Sequence, residues 1–142
     1  LTSPADEVAP AVSRDGRWMA YVSNESGRAE VYVREFPGMG GRAQVSLDGG
    51  TEPAWSRDGR ELYYRKGGAL YAASVRPGAG FEIASRARLF VEPDYAADLT
   101  HRYYDVTPDG RFVMIRDLEG GARLNVTLNW FQNLGTNRKE DE

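Results

Sequence analysis

Apolar and polar residues alternate along most of this chain in short runs, each cut off by turn-forming residues. The clearest run sets Leu124, Val126, Leu128 and Trp130 against Asn125, Thr127 and Asn129. A period of two puts one face of a strand on a core and the other in water. Glu30 to Phe36 and Ala69 to Val75 are rich in β-branched and aromatic residues and are bounded by glycine or proline, so they also read as strands. A fourth strand is expected at Ala43 to Leu47, and another around Leu89 to Val91. Nothing carries the 3.6-residue period of a long helix, so the fold class is all-β.

The strands recur with a motif. Pro10-Ala11-Val12-Ser13-Arg14-Asp15-Gly16-Arg17 returns as Pro53-Ala54-Trp55-Ser56-Arg57-Asp58-Gly59-Arg60, and again as Tyr104-Asp105-Val106-Thr107-Pro108-Asp109-Gly110-Arg111. The motif glycines lie 43 and 51 residues apart, a spacing that suits one four-stranded propeller blade per repeat. Within the motif, an x-Pro-Asp-Gly loop presets φ at its first central residue and gives the left-handed position to glycine, which has no Cβ to clash. A type I turn with a bulge is the expected hairpin, flanked by Val12 and Trp18, Trp55 and Leu62, and Val106 and Phe112. Three blades are therefore expected over residues 1–50, 51–92 and 93–134, with a charged tail over 135–142. The third repeat leaves no room for a fourth strand.

Composition narrows the function. Apolar residues make up 41% of the 142, enough for a real core. Eighteen basic residues against 21 acidic give a net charge of -3, so the summed charge offers no footprint for nucleic acid or an anionic membrane. The absence of cysteine removes disulfides, thiolate metal sites and thiol nucleophiles together. No apolar run nears the roughly 20 residues of a membrane helix. A first residue of Leu1 instead of Met points to a processed or excised piece, and the charged tail after Phe131 reads as a domain end. Sixteen arginines against Lys66 and Lys139 suggest a GC-rich bacterial source.

The Ser-Arg-Asp-Gly-Arg and Thr-Pro-Asp-Gly-Arg repeats resemble the Ser-Pro-Asp-Gly-Arg signature of TolB-like six-bladed propellers, over nearly the whole chain. Val31 to Pro37, Gly49 to Ser56 and Leu128 to Phe131 look like the last three blades of propellers attached to bacterial serine/threonine kinases. No kinase signature is present in this chain. The resemblance implies half of a six-bladed ring, an extracytoplasmic, periplasmic setting, and a role as scaffold or sensor. A three-bladed arc would leave two apolar blade faces open, so a second copy closing the ring, or the missing blades of a longer parent, is the expected partner. Leu1-Thr2 could be a remnant outer strand closing the edge at Leu124 to Phe131.

Few residues invite chemistry. Asp15, Asp58 and Asp109 recur, but tight-turn hydrogen bonding accounts for them without a metal. His101 is the one histidine, no Gly-x-Ser-x-Gly elbow accompanies it, and no catalytic residue, metal site or cofactor is expected. The longer second spacing comes from an insertion, Pro93 to Tyr103, and propeller insertions map to loops on one face, often the binding face. Its Asp98, His101, Arg102 and Tyr103, with Glu52 ahead of the innermost strand of repeat two, form the candidate ligand site; the plainer reading is a solvated connection. Trp18, Trp55, Trp130 and the strand tyrosines read as inter-blade core. Gly38 to Gly41 lacks the following helix a phosphate cradle needs, and the sequons at Asn24 and Asn125 are short patterns that arise by chance. The expected function is a non-enzymatic module binding a protein, peptide or small ligand at its funnel or face. The alternative is the propeller part of a prolyl-oligopeptidase-like or metal-dependent lactonase-like hydrolase.

Overall fold

A computed structural model describes residues 5–38, 40–76, 78, 80–91, 93–116 and 123–127. Eleven strands are seen among them, with no α-helix, in three antiparallel meanders. The first sheet runs β1 (Glu7–Val12), β2 (Trp18–Ser23), β3 (Glu30–Glu35) and β4 (Arg42–Gln44) in sequential order. The second repeats this with β5 (Thr51–Trp55), β6 (Glu61–Lys66), β7 (Ala69–Arg76) and β8 (Glu82–Val91). The third has β9 (Tyr104–Val106), β10 (Phe112–Arg116) and β11 (Arg123–Thr127). Such sheets are like the blades of a propeller.

The motif turns follow the expected chemistry. Gly16, Gly59 and Gly110 take φ of 71°, 70° and 80°, and their N–H groups donate to the carbonyls of Ser13, Ser56 and Thr107 at 2.9, 3.1 and 2.9 Å. Each turn also carries one polar triangle. The Ser13 hydroxyl donates to Asp15 at 2.6 Å and accepts from the Trp18 N–H at 3.0 Å; Ser56, Asp58 and Glu61 repeat it at 2.8 and 2.9 Å. In the third turn Thr107 bonds Asp109 and accepts from the Arg111 N–H at 3.0 Å. The serine is thus part of the turn, which explains why it recurs with the aspartate.

Blades stack through two cores. Ala20, Val22, Val31 and Val33 of the first blade meet Leu62, Tyr64 and Ala73 of the second. The opposite face of the second blade, with Ala54, Tyr63, Leu70 and Ala72, meets Tyr104, Phe112 and Met114 of the third. Alternation sends successive residues of β6 to different seams, Leu62 and Tyr64 one way and Tyr63 the other. Burying these side chains contributes about 1.5–3 kcal/mol for each large one, which makes the seams the main store of stability.

Some strand limits differ from expectation. The outer strand of the first blade is Arg42–Gln44 and stops short of Leu47. Ser46 explains this: its hydroxyl accepts the Val31 N–H at 2.8 Å while the N–H groups of Val45 and Ser46 converge on the Val31 carbonyl at 2.8 and 3.3 Å, so a side chain takes over the ladder. In the second blade the outer strand begins at Glu82, well before Leu89. Its polar residues, Glu82, Ser85, Arg86 and Arg88, face water at a sheet edge and hide the strand from a search for apolar runs. The third strand of the last repeat is described over Arg123–Thr127; the rest of the expected run to Phe131, Trp130, the tail and Leu1-Thr2 lie outside the described residues.

The first blade's free face is more closed than expected. Met19, Tyr21 and Tyr32 lie there at 9, 2 and 3% exposure, Tyr21 stacked on Tyr32 at 5.9 Å and the Arg42 guanidinium over the Tyr32 ring at 5.3 Å. An arginine stem laid over aromatic rings covers apolar surface while its charge stays wet.

Candidate functional site

The innermost strands β1, β5 and β9 line a groove of about 770 Å³, walled by Val12, Pro53, Trp55, Tyr103, Val113 and Ile115. The insertion adds Thr100 and Arg102 at its rim. The Trp55 indole N–H donates to the Ala11 carbonyl at 3.0 Å, fixing one blade to the next across this wall.

Glu52 organises the insertion. It has no exposed surface, and its Oε1 and Oε2 accept the N–H groups of Asp98 at 3.2 Å and Tyr103 at 2.7 Å. Its own carbonyl accepts the Tyr104 hydroxyl at 2.8 Å. The backbone at Glu52 is left-handed, φ 54°, at a break in β5–β6 register between Thr51 and Ala54. Ala9, the matching residue of the first repeat, has φ 53° at the same kind of bulge. A bulge re-aims a side chain, and here it turns the carboxylate toward the insertion. Burial pushes the Glu52 carboxyl above its ordinary value, opposed by the Tyr103 and Asp98 N–H groups and by the field of Arg65. Arg65 is itself buried at 3% exposure and donates to the Tyr95 carbonyl at 3.4 Å.

The other candidate residues gather around this node. Asp98 Oδ1 accepts from the Thr100 N–H and hydroxyl, both at 2.6 Å, and from the His101 N–H at 2.9 Å. These bonds, the Thr100 hydroxyl foremost, hold its carboxyl well below the usual carboxylate range. His101 is exposed, its Nδ1 2.8 Å from the Thr100 hydroxyl and 3.3 Å from Asp98. Arg102 bonds Asp105 at 3.1 Å with its side chain 37% exposed. All five residues therefore sit in one region with different parts: Arg102 and Tyr103 face the groove, Asp98 and His101 shape the turn beside it, and Glu52 holds the loop from within. Among the described residues no group of three or more His, Asp or Glu is placed to hold a metal ion.

Arg65, Trp55 and Tyr104 were not singled out as site residues by the sequence pattern. Arg65 leaves one signal: it shares the alternating face of Tyr63, a position where an apolar residue is the rule. Nothing local marks the Trp55 and Tyr104 bonds, which span 44 and 52 residues.

No protein-family model matches the chain, and no match is found among curated proteins. Among solved structures, the crystal structure of TolB from Acinetobacter baumannii aligns with a TM-score of 0.43 and 18% identity, over 89% of this chain and 41% of that one. The chain is similar to part of TolB. It spans about two fifths of that protein's length. The likeness is one of strand architecture, and residue roles in TolB do not transfer on it.

Proposed function

We propose that the protein is a non-enzymatic interaction or sensor module that binds a protein, peptide or small ligand in the groove along its innermost strands. The observation that carries the reading is the groove's makeup. Apolar side chains from three blades share the wall with polar surface, and at the rim the Arg102 guanidinium is steadied by Asp105, on a loop held in place by a buried carboxylate. Concave sites that combine apolar contact surface with a few placed polar groups are what ligands occupy. Arg102 would supply orientation, and Trp55, Val113 and Ile115 would supply contact area. A second copy completing the ring, or further blades of a longer parent, would form the remaining wall.

The hydrolase reading finds less support. Thr100, His101 and Asp98 are close, but both oxygens approach the same ring nitrogen, Nδ1. A catalytic relay needs the nucleophile on one imidazole nitrogen and the carboxylate on the other. A peptide library selected against the protein tests the proposal. Selected peptides should lose about tenfold or more in affinity on Arg102→Ala, the scale of one charge-assisted contact. Peptides indifferent to Arg102→Ala and to Val113→Asp would place binding elsewhere. Turnover of an ester, lactone or peptide panel would favour the hydrolase instead.

A further inference from the structure

The motif turns lie at the far end of the innermost strands from Glu52, and they raise a separate question. The first central residue of such a turn favours proline, as Pro108 supplies in the third repeat. Repeats one and two have Arg14 and Arg57 there. Turn chemistry does not ask for a guanidinium, and both side chains are exposed. Among the described residues neither forms an ion pair with an acid, whereas Arg60, Arg76 and Arg111 do.

Arg14 and Arg57 also converge. Both line a hollow of about 580 Å³ between the first and second blades, and both line the neighbouring hollow of about 810 Å³ that reaches Pro108. Arg17, Arg60 and Arg76 complete the smaller hollow, and its carboxylates are Asp15 and Asp58. Five guanidinium groups against two carboxylates, with Arg76 already paired to Glu82 at 2.6 Å, leave a local excess of two positive charges, in a chain whose net charge is -3. The two carboxylates are already engaged, each through Oδ1 with the serine hydroxyl and a backbone N–H of its own turn. Like charges gathered around one hollow repel unless an anion sits between them, and the guanidinium fork matches the paired oxygens of phosphate and carboxylate.

We propose that this turn-side trough is an oxyanion site, binding a phosphate- or carboxylate-bearing ligand between Arg14 and Arg57. It is separate from the groove and stands whatever the groove binds. Calorimetric titration of the protein at low salt with pyrophosphate, and separately with citrate, tests it. One-site saturable binding that weakens with added salt is expected, with the tighter of the two probes showing whether phosphoryl or carboxylate groups are preferred. Arg14→Ala and Arg57→Ala should each weaken it about tenfold. The double change Arg14→Pro/Arg57→Pro should abolish it while leaving the thermal midpoint unchanged or higher, because proline suits this turn position. Arg88→Ala removes the same charge from an exposed position on β8 and should leave affinity unaltered. Failure of both probes to saturate, undiminished binding in the two alanine variants, or an equal loss in Arg88→Ala would overturn the site.

Discussion

Glu52 and Asp58 are carboxylates with opposite electrostatics, and pH separates them. The Ser56 hydroxyl and the Arg60 N–H hold Asp58 below its ordinary value of 3.8. A depressed folded-state pKa gives stability that is complete above 3.8 and is lost as pH falls through the folded value. Burial raises Glu52 above 4.5, so its contribution is complete below 4.5 and is lost as pH rises through the folded value. In urea unfolding across pH, the advantage of wild type over Asp58→Asn should grow as pH rises toward 3.8 and stay level above it. The advantage over Glu52→Gln should instead shrink as pH rises past 4.5. Truncation is harsher than either. Glu52→Ala strands two backbone N–H groups of the insertion and should cost about 2–4 kcal/mol, with faster amide exchange at Asp98 and Tyr103.

At the level of the turn and strand, glycines in different settings should respond differently. Gly59 has φ 70° and open space around a built Cβ, so Gly59→Ala should cost only backbone strain, about 1 kcal/mol. A Cβ at Gly50 would meet Ser46 Cβ at 2.4 Å and Val31 Cγ2 at 3.3 Å, beside the serine that ends β4. Gly50→Ala should cost roughly 2–3 kcal/mol more, read as the difference in urea midpoints. This scale is also where sequence reading succeeds and fails. The Asp-Gly hairpins and the central strands are legible because their cause is local: a turn residue fixes a dihedral, and alternation fixes a face. The limits of β4 and β8 are not, because a serine hydroxyl 15 residues from its partner ends one and water on an edge disguises the other. The site shows the same divide. Arg102 and Tyr103 follow from the length of the insertion, whereas the burial of Glu52 depends on N–H groups 46 and 51 residues away.

For the molecule as a whole, the proposed closure of the blades into a ring is open to a direct measurement of mass. If a second copy supplies the closure proposed above, light scattering should give a mass of two chains, and a mass of one chain would rule that copy out. The covered Met19, Tyr21 and Tyr32 make the first blade's face a tight one to join; a Tyr32→Arg change there should shift a dimer toward monomer without touching either inter-blade core. The seams themselves differ in one useful respect. Trp18 and Trp55 bracket Phe81 at 5.4 and 6.0 Å beside the seam of the first two blades, while the second seam is built from Tyr63, Tyr104 and Phe112. With Trp130 replaced by phenylalanine, indole emission would come from the first seam alone. A red shift preceding loss of β-sheet signal would then mean that the blades part before they unravel, so this protein carries its own optical gauge of blade separation.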